Sequence, residues 1–160
     1  MKKMIAAAVA VLLALTASAQ SGKAIYNKYS DADNVSAVYI SPAMFRLIGK
    51  IPDLNVDGGN LNLGSIIKSL TGMYILESRN GRINAAMKAD AEKFIDKGQY
   101  EVLMEAKDNG EVTRMYTIGD EKTVTGLVML SSNSGSCSFI SIDGRMDREA
   151  LEKILSEGSR

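Results

Sequence analysis

Apolar residues recur along this chain with two different periods, and the switch between them gives the order of elements. Ile25, Tyr26 and Tyr29 are spaced as one face of a short helix. Val35-Ser36-Ala37-Val38-Tyr39-Ile40 is rich in β-formers and predicts a strand. Ser41-Pro42 marks a helix start, because a Ser side chain can cap free amides and Pro suits the first helical position. That helix carries Met44, Phe45, Leu47 and Ile48 before Gly49 ends it. Lys50 to Gly64 mixes Asn, Asp and Gly with a few apolar residues and reads as a surface loop. Ser65 to Leu70 predicts a short helix, and Thr71 to Glu77 a second strand closed by the Asn80-Gly81 turn signal. Ile83, Met87, Ala91, Phe94 and Ile95 form one stripe at helical spacing, so Ile83 to Lys97 is the best-defined helix, with Gly98 as its stop.

From Tyr100 the period falls to two. Tyr100, Val102, Met104 and Ala106 alternate with Glu101, Leu103, Glu105 and Lys107, and Asp108-Asn109-Gly110 is a hairpin turn. Glu111 to Ile118 pairs back, and Thr123 to Ser131 is apolar on both faces, which predicts a central strand. Ser136 to Ile142 follows as a fourth strand, and Asp147 caps a last helix bearing Ala150, Leu151, Ile154 and Leu155. The predicted order is α-β-α-α-β-α-β-β-β-β-α. It implies one α+β domain: a mainly antiparallel sheet of about six strands, ending in a four-stranded meander, with helices packed on one face.

The first residues sit outside this pattern and change the picture. Lys2 and Lys3 precede a twelve-residue apolar stretch, Met4 to Leu15, and Ala17 and Ala19 fit the small-residue rule of signal peptidase. Cleavage between Ala19 and Gln20 is expected, giving a signal peptide over 1–19 and a mature domain over 20–160. Twelve apolar residues fall short of the roughly 20 that span a bilayer. No Cys follows the stretch, so a lipoprotein anchor is not expected, and the destination is the periplasm or the exterior. Without Lys2 and Lys3 the mature chain carries 17 basic and 19 acidic residues, which offers no basic field for nucleic acid. Its single Cys, Cys137, cannot form an internal disulfide and lies in an apolar strand, where a buried thiol is expected.

The search for chemistry turns first on an absence. The chain has no His, which removes Ser-His-Asp and Cys-His catalysis and imidazole-held zinc. No Trp and no Gly-rich phosphate loop occur either. Asp53, Asn55 and Asp57 followed by Gly58 match the opening of a calcium loop, but Gly64 stands where a closing Glu is needed. An ordinary turn-rich loop explains these residues, with a calcium-stabilised domain as one alternative. Ser65-Ile66-Ile67-Lys68 has the S-x-x-K form of a Ser/Lys nucleophile pair, without the partner motifs. Glu101 and Glu105 are read as sharing one strand face with Lys107, which a solvated face explains as well as a hydrolytic carboxylate pair. A His-free hydrolase built on carboxylates or on that Ser/Lys pair is therefore the other alternative. No cofactor is implied.

Three segments carry a resemblance. Val38 to Phe45, Leu70 to Leu76, and Phe139 to Gly144 resemble a domain-of-unknown-function family of small exported proteins from gut-type Gram-negative anaerobes. The resemblance implies an envelope location, no catalytic residue to transfer, and a link to envelope stress signalling. Some relatives are lipoproteins, a pattern from which this chain departs. The expectation from sequence is a non-catalytic envelope module of unknown function that binds a protein or another envelope component. Its expected surface combines Met44 and Phe45 with the loop residues Asp53, Asn55, Asp57 and Asn60.

Overall fold

A computed structural model of the chain describes residues 22–48 and 63–157. The expected leader, the Ala19/Gln20 junction and the loop residues Asp53, Asn55, Asp57 and Asn60 lie outside the described residues.

The elements follow the predicted order: α1 (Lys23–Tyr29), β1 (Val35–Ile40), α2 (Pro42–Ile48), α3 (Leu63–Ser69), β2 (Leu70–Ser78), α4 (Gly81–Gly98), β3 (Glu101–Asp108), β4 (Glu111–Gly119), β5 (Thr123–Ser132), β6 (Cys137–Asp147) and α5 (Arg148–Glu157). The strands form one six-stranded sheet in the order β1-β2-β6-β5-β4-β3, with every neighbouring pair antiparallel. β3 to β6 are the meander, and β2 docks on the outer side of β6. β5 is interior, flanked by β6 and β4, as its apolar run on both faces requires.

Local chemistry sets the ends of the elements. The Ser41 hydroxyl accepts from the Met44 amide at 3.3 Å, capping α2 with Pro42 as its first residue. The Asp147 carboxylate accepts from the Ala150 amide at 2.9 Å, capping α5. The Asn80-Gly81 pair differs from its reading as a turn. Asn80 caps α4 by accepting from the Arg82 amide, and Gly81 is the first helical residue. The stop also shifts by one residue: Gly98 is helical, and Gln99 takes the left-handed conformation with φ of 58°.

Pairing places side chains on two faces. Leu76, Phe139 and Leu130 stand opposite one another on β2, β6 and β5. Against them pack Ile25 and Tyr29 of α1 and Met87, Ala91, Phe94 and Ile95 of α4. Burying each large apolar side chain stabilises by roughly 1.5–3 kcal/mol, so this layer holds α1 and α4 to the sheet. Tyr29 and Lys28 both donate to the Asp90 carboxylate, at 2.6 and 2.5 Å, which ties α1 to α4 at the rim. α2 and α3 pack on each other and on β2 and β6. On the opposite face the register aligns Val38, Ile75, Ile140, Met129, Met115 and Met104 in one row across all six strands.

Candidate functional site

Several residues singled out from sequence do not meet. Met44 is 48% exposed, but Phe45 beside it is 6% exposed, so Phe45 is withdrawn from the expected binding surface. One side chain of a helix turn points to solvent and the next turns inward. Glu101 and Glu105 do not share a face. A bulge between Val102 and Met104 puts Glu101 opposite Thr117 and Glu105 opposite Arg114, residues on opposite faces of β4. Glu105 is bound instead by Arg114 at 2.6 Å and Lys107 at 2.8 Å, and these cations hold its carboxyl below the usual range. The two glutamates therefore form no catalytic pair across a cleft. Lys68 is exposed at the end of α3. Among the described residues no three Cys, Asp or Glu side chains gather as a metal would need.

Two arrangements were not visible in the sequence. The first is a cleft of about 430 Å³ between α4 and the β5–β6 turn, lined among others by Asn84, Lys88, Arg114, Asn133 and Cys137. Its polar groups are largely engaged with one another. Lys88 pairs with Glu92 at 3.0 Å, the Asn133 carbonyl accepts from the Gly135 and Ser136 amides, and Asn84 donates to the Gly135 carbonyl. The Asn84 carbonyl oxygen is the one buried side-chain polar atom among the described residues without a partner. Cys137 is 1% exposed, and burial pushes its thiol up to about 11, so it is a packing residue rather than a nucleophile at neutral pH.

The second arrangement surrounds Asp143. This residue stands on the helix-covered face of β6, two positions from the fully buried Ser141. Its cross-strand partners are both glycines, Gly72 on β2 and Gly126 on β5. A Cβ on Gly72 would lie 2.8 Å from the Tyr74 hydroxyl, and one on Gly126 would lie 3.0 Å from the Tyr100 hydroxyl. Each missing side chain thus makes room for a tyrosine hydroxyl on one side of the carboxylate. Burial raises the Asp143 carboxyl above the ordinary range, opposed by the Ser141 hydroxyl, which donates at 3.4 Å. Burial also lifts Tyr100 to about 12, with the negative charge of Asp143 adding to the shift, and raises Tyr74 with help from Tyr39 and Asp143. Tyr74 stacks on Tyr39 at 5.1 Å and meets Tyr26 at 5.7 Å, joining β1, β2 and α1. Among the described residues no Lys or Arg forms an ion pair with Asp143. The available sequence signal was small: polar Ser141 and Asp143 at alternate positions of an apolar strand.

The fold and these sites define a small α+β domain with a helix-covered antiparallel sheet and a glycine-flanked carboxylate. The profile of one family, described as Domain of unknown function (DUF4252), matches residues 29–154, and the chain belongs to that family. The match spans every strand, and so takes in the three segments that carry the resemblance. No curated protein and no solved structure matches the chain.

Proposed function

We propose that this domain is an exported, non-catalytic module of the cell envelope that binds a partner protein by strand addition at the β3 edge. The observation that supports the reading is the edge itself. All eight residues of β3 are exposed, and Val102, Leu103 and Met104 form a consecutive apolar run there. An edge strand presents unpaired amides and carbonyls on its outer side, and an extended segment of another chain can satisfy them. Side-chain specificity would come from the apolar run and from the Glu105, Lys107 and Arg114 cluster beside it. Met44 and Leu47 on α2 and Val38 and Tyr39 on β1 are further exposed apolar side chains away from this edge, with Val38 and Tyr39 on opposite faces of the sheet. Export rests on the leader pattern before Gln20.

The test is capture from envelope extract by immobilised processed protein, beside a Leu103→Lys variant. Leu103 is the extra residue of the bulge and is exposed, so the variant should melt as the parent does. A Lys on the edge opposes strand pairing. Partner recovery should fall at least tenfold; equal recovery by both proteins would refute the edge as the site. Mass spectrometry of protein recovered from the periplasmic fraction tests export, with a chain starting at Gln20, or at its cyclised lactam, expected.

A further inference from the structure

The half of the β3–β4 hairpin nearest its turn is regular, and its geometry fixes which backbone groups face the open edge. Asn109 and Gly110 have φ of 46° and 85°, the two positive values of a type I′ turn, so Asp108 and Glu111 close the hairpin as a hydrogen-bonded pair. Hydrogen-bonded and non-hydrogen-bonded pairs alternate along an antiparallel ladder. Ala106 and Met104 therefore bond to β4, and the amides and carbonyls of Glu105 and Lys107 point outward. The bulge at Leu103 ends this stretch, leaving residues 104–108 as the regular free ladder. Glu105 and Lys107 stand opposite Arg114 and Val112, so their side chains share one face of the sheet. They carry opposite charges two positions apart.

We propose that the strand added at the β3 edge is β3 of a second copy of this chain, antiparallel, with the twofold axis through Ala106. The inference rests on the strand-addition reading and names its partner. Only this register pairs the whole of 104–108 with itself. It sets Glu105 opposite Lys107 of the second copy, and Lys107 opposite its Glu105, so the outward backbone groups meet as hydrogen-bonded pairs. An axis through Glu105 or through Lys107 would also align outward groups, but it sets like charges face to face, which destabilises a cross-strand pair. Charge thus selects one register. In it Glu105, already held by Arg114 at 2.6 Å and Lys107 at 2.8 Å, gains a second lysine. Ala106 meets its own copy at the axis, where its small side chain lets the strands approach. The two six-stranded sheets then join edge to edge into one.

The test reads self-association of the processed protein by sedimentation velocity over a concentration series, beside Glu105→Lys, Lys107→Glu and an equimolar mixture of the two variants. Both positions are exposed, so the variants should fold as the parent does. The parent should dimerise weakly, as a contact of this size does. Each substitution alone sets two like-charged pairs across the axis and should weaken dimerisation by about tenfold or more. The mixture should restore it, because one copy then offers two lysines to two glutamates on the other. A second measurement needs no variant. At concentrations that populate the parent dimer, the Glu105 and Lys107 amides should gain protection from hydrogen exchange, with those of Met104 and Ala106 protected at every concentration. A parent that stays monomeric at millimolar concentration overturns the proposal. So do single variants that associate as the parent does, or a mixture that stays monomeric where the parent dimerises. If self-pairing falls while Leu103→Lys still loses a different protein from envelope extract, strand addition stands with that protein as partner. If it falls and Leu103→Lys recovers as much as the parent, the edge reading falls with it.

Discussion

Glycine positions are where single residues decide this fold most sharply. Gly119 closes β4 with φ of 154°, and a Cβ there would lie 2.0 Å from the Thr123 carbonyl oxygen. That oxygen accepts from the Asp120 amide at 2.8 Å and cannot move without opening the β4–β5 turn. Gly119→Ala should therefore destabilise by roughly 2–4 kcal/mol, combining positive-φ strain with a backbone clash. Urea unfolding measures it, and a loss within 0.5 kcal/mol, the scale of an ordinary surface change, would show that the turn can rearrange. Cys137 gives a second residue-scale outcome. Its thiol is buried and its pKa is raised to about 11, so iodoacetamide at pH 8 should label it in denaturant and leave it unlabelled in the native protein. Rapid native labelling would contradict the packing around it. The buried thiol was legible from its apolar strand, whereas the Gly119 clash depends on Thr123 meeting it across a turn.

Among elements, the contact between α1 and α4 shows how a short helix is held. α1 has seven residues, too few to persist alone, and depends on Ile25 and Tyr29 in the core and on the rim contact with Asp90. Hydrogen bonds from Lys28 and Tyr29 hold the Asp90 carboxyl below its ordinary range. A depressed carboxyl contributes stability above its unfolded value of about 3.9, and that contribution is lost as pH falls through the lower folded value. Asp90→Asn should lower Tm slightly at pH 7, as expected for a rim contact. The gap between variant and parent should close below about pH 3.9. A gap that is unchanged from pH 7 to pH 2 would mean that Asp90 acts by shape and not by charge. α4 itself was legible from its apolar stripe, but its start was not. Asn80 acts as a cap because it also donates to the Asp33 carbonyl at 2.9 Å, a partner 47 residues away.

At the scale of the molecule, the sheet order separates what a periodic pattern can give from what it cannot. The meander β3 to β6 follows from consecutive alternating runs joined by short turns. The docking of β2 on β6 does not, because strands far apart in sequence meet only when the whole sheet assembles. That docking places Gly72 and Tyr74 beside Ser141 and Asp143. It also leaves β3 at the outer edge, where the partner strand is proposed to add. The bulge at Val102 to Met104 is likewise a tertiary product. Strict alternation would keep Glu101 and Glu105 together, and one extra residue sends them to opposite faces.

The sequence by itself determined the kinds and order of the elements, the α+β class, the caps at Ser41 and Asp147 and the interior place of β5. Each depends on neighbours within a few positions, which hydrophobic period and cap chemistry encode directly. Tertiary structure alone decided that Phe45 turns inward, that Glu105 belongs to Arg114 and Lys107, and that Asp143 lies between two glycines beneath two tyrosine hydroxyls. Those relations join residues from separate strands, and their distances exist only once the sheet has closed on its register.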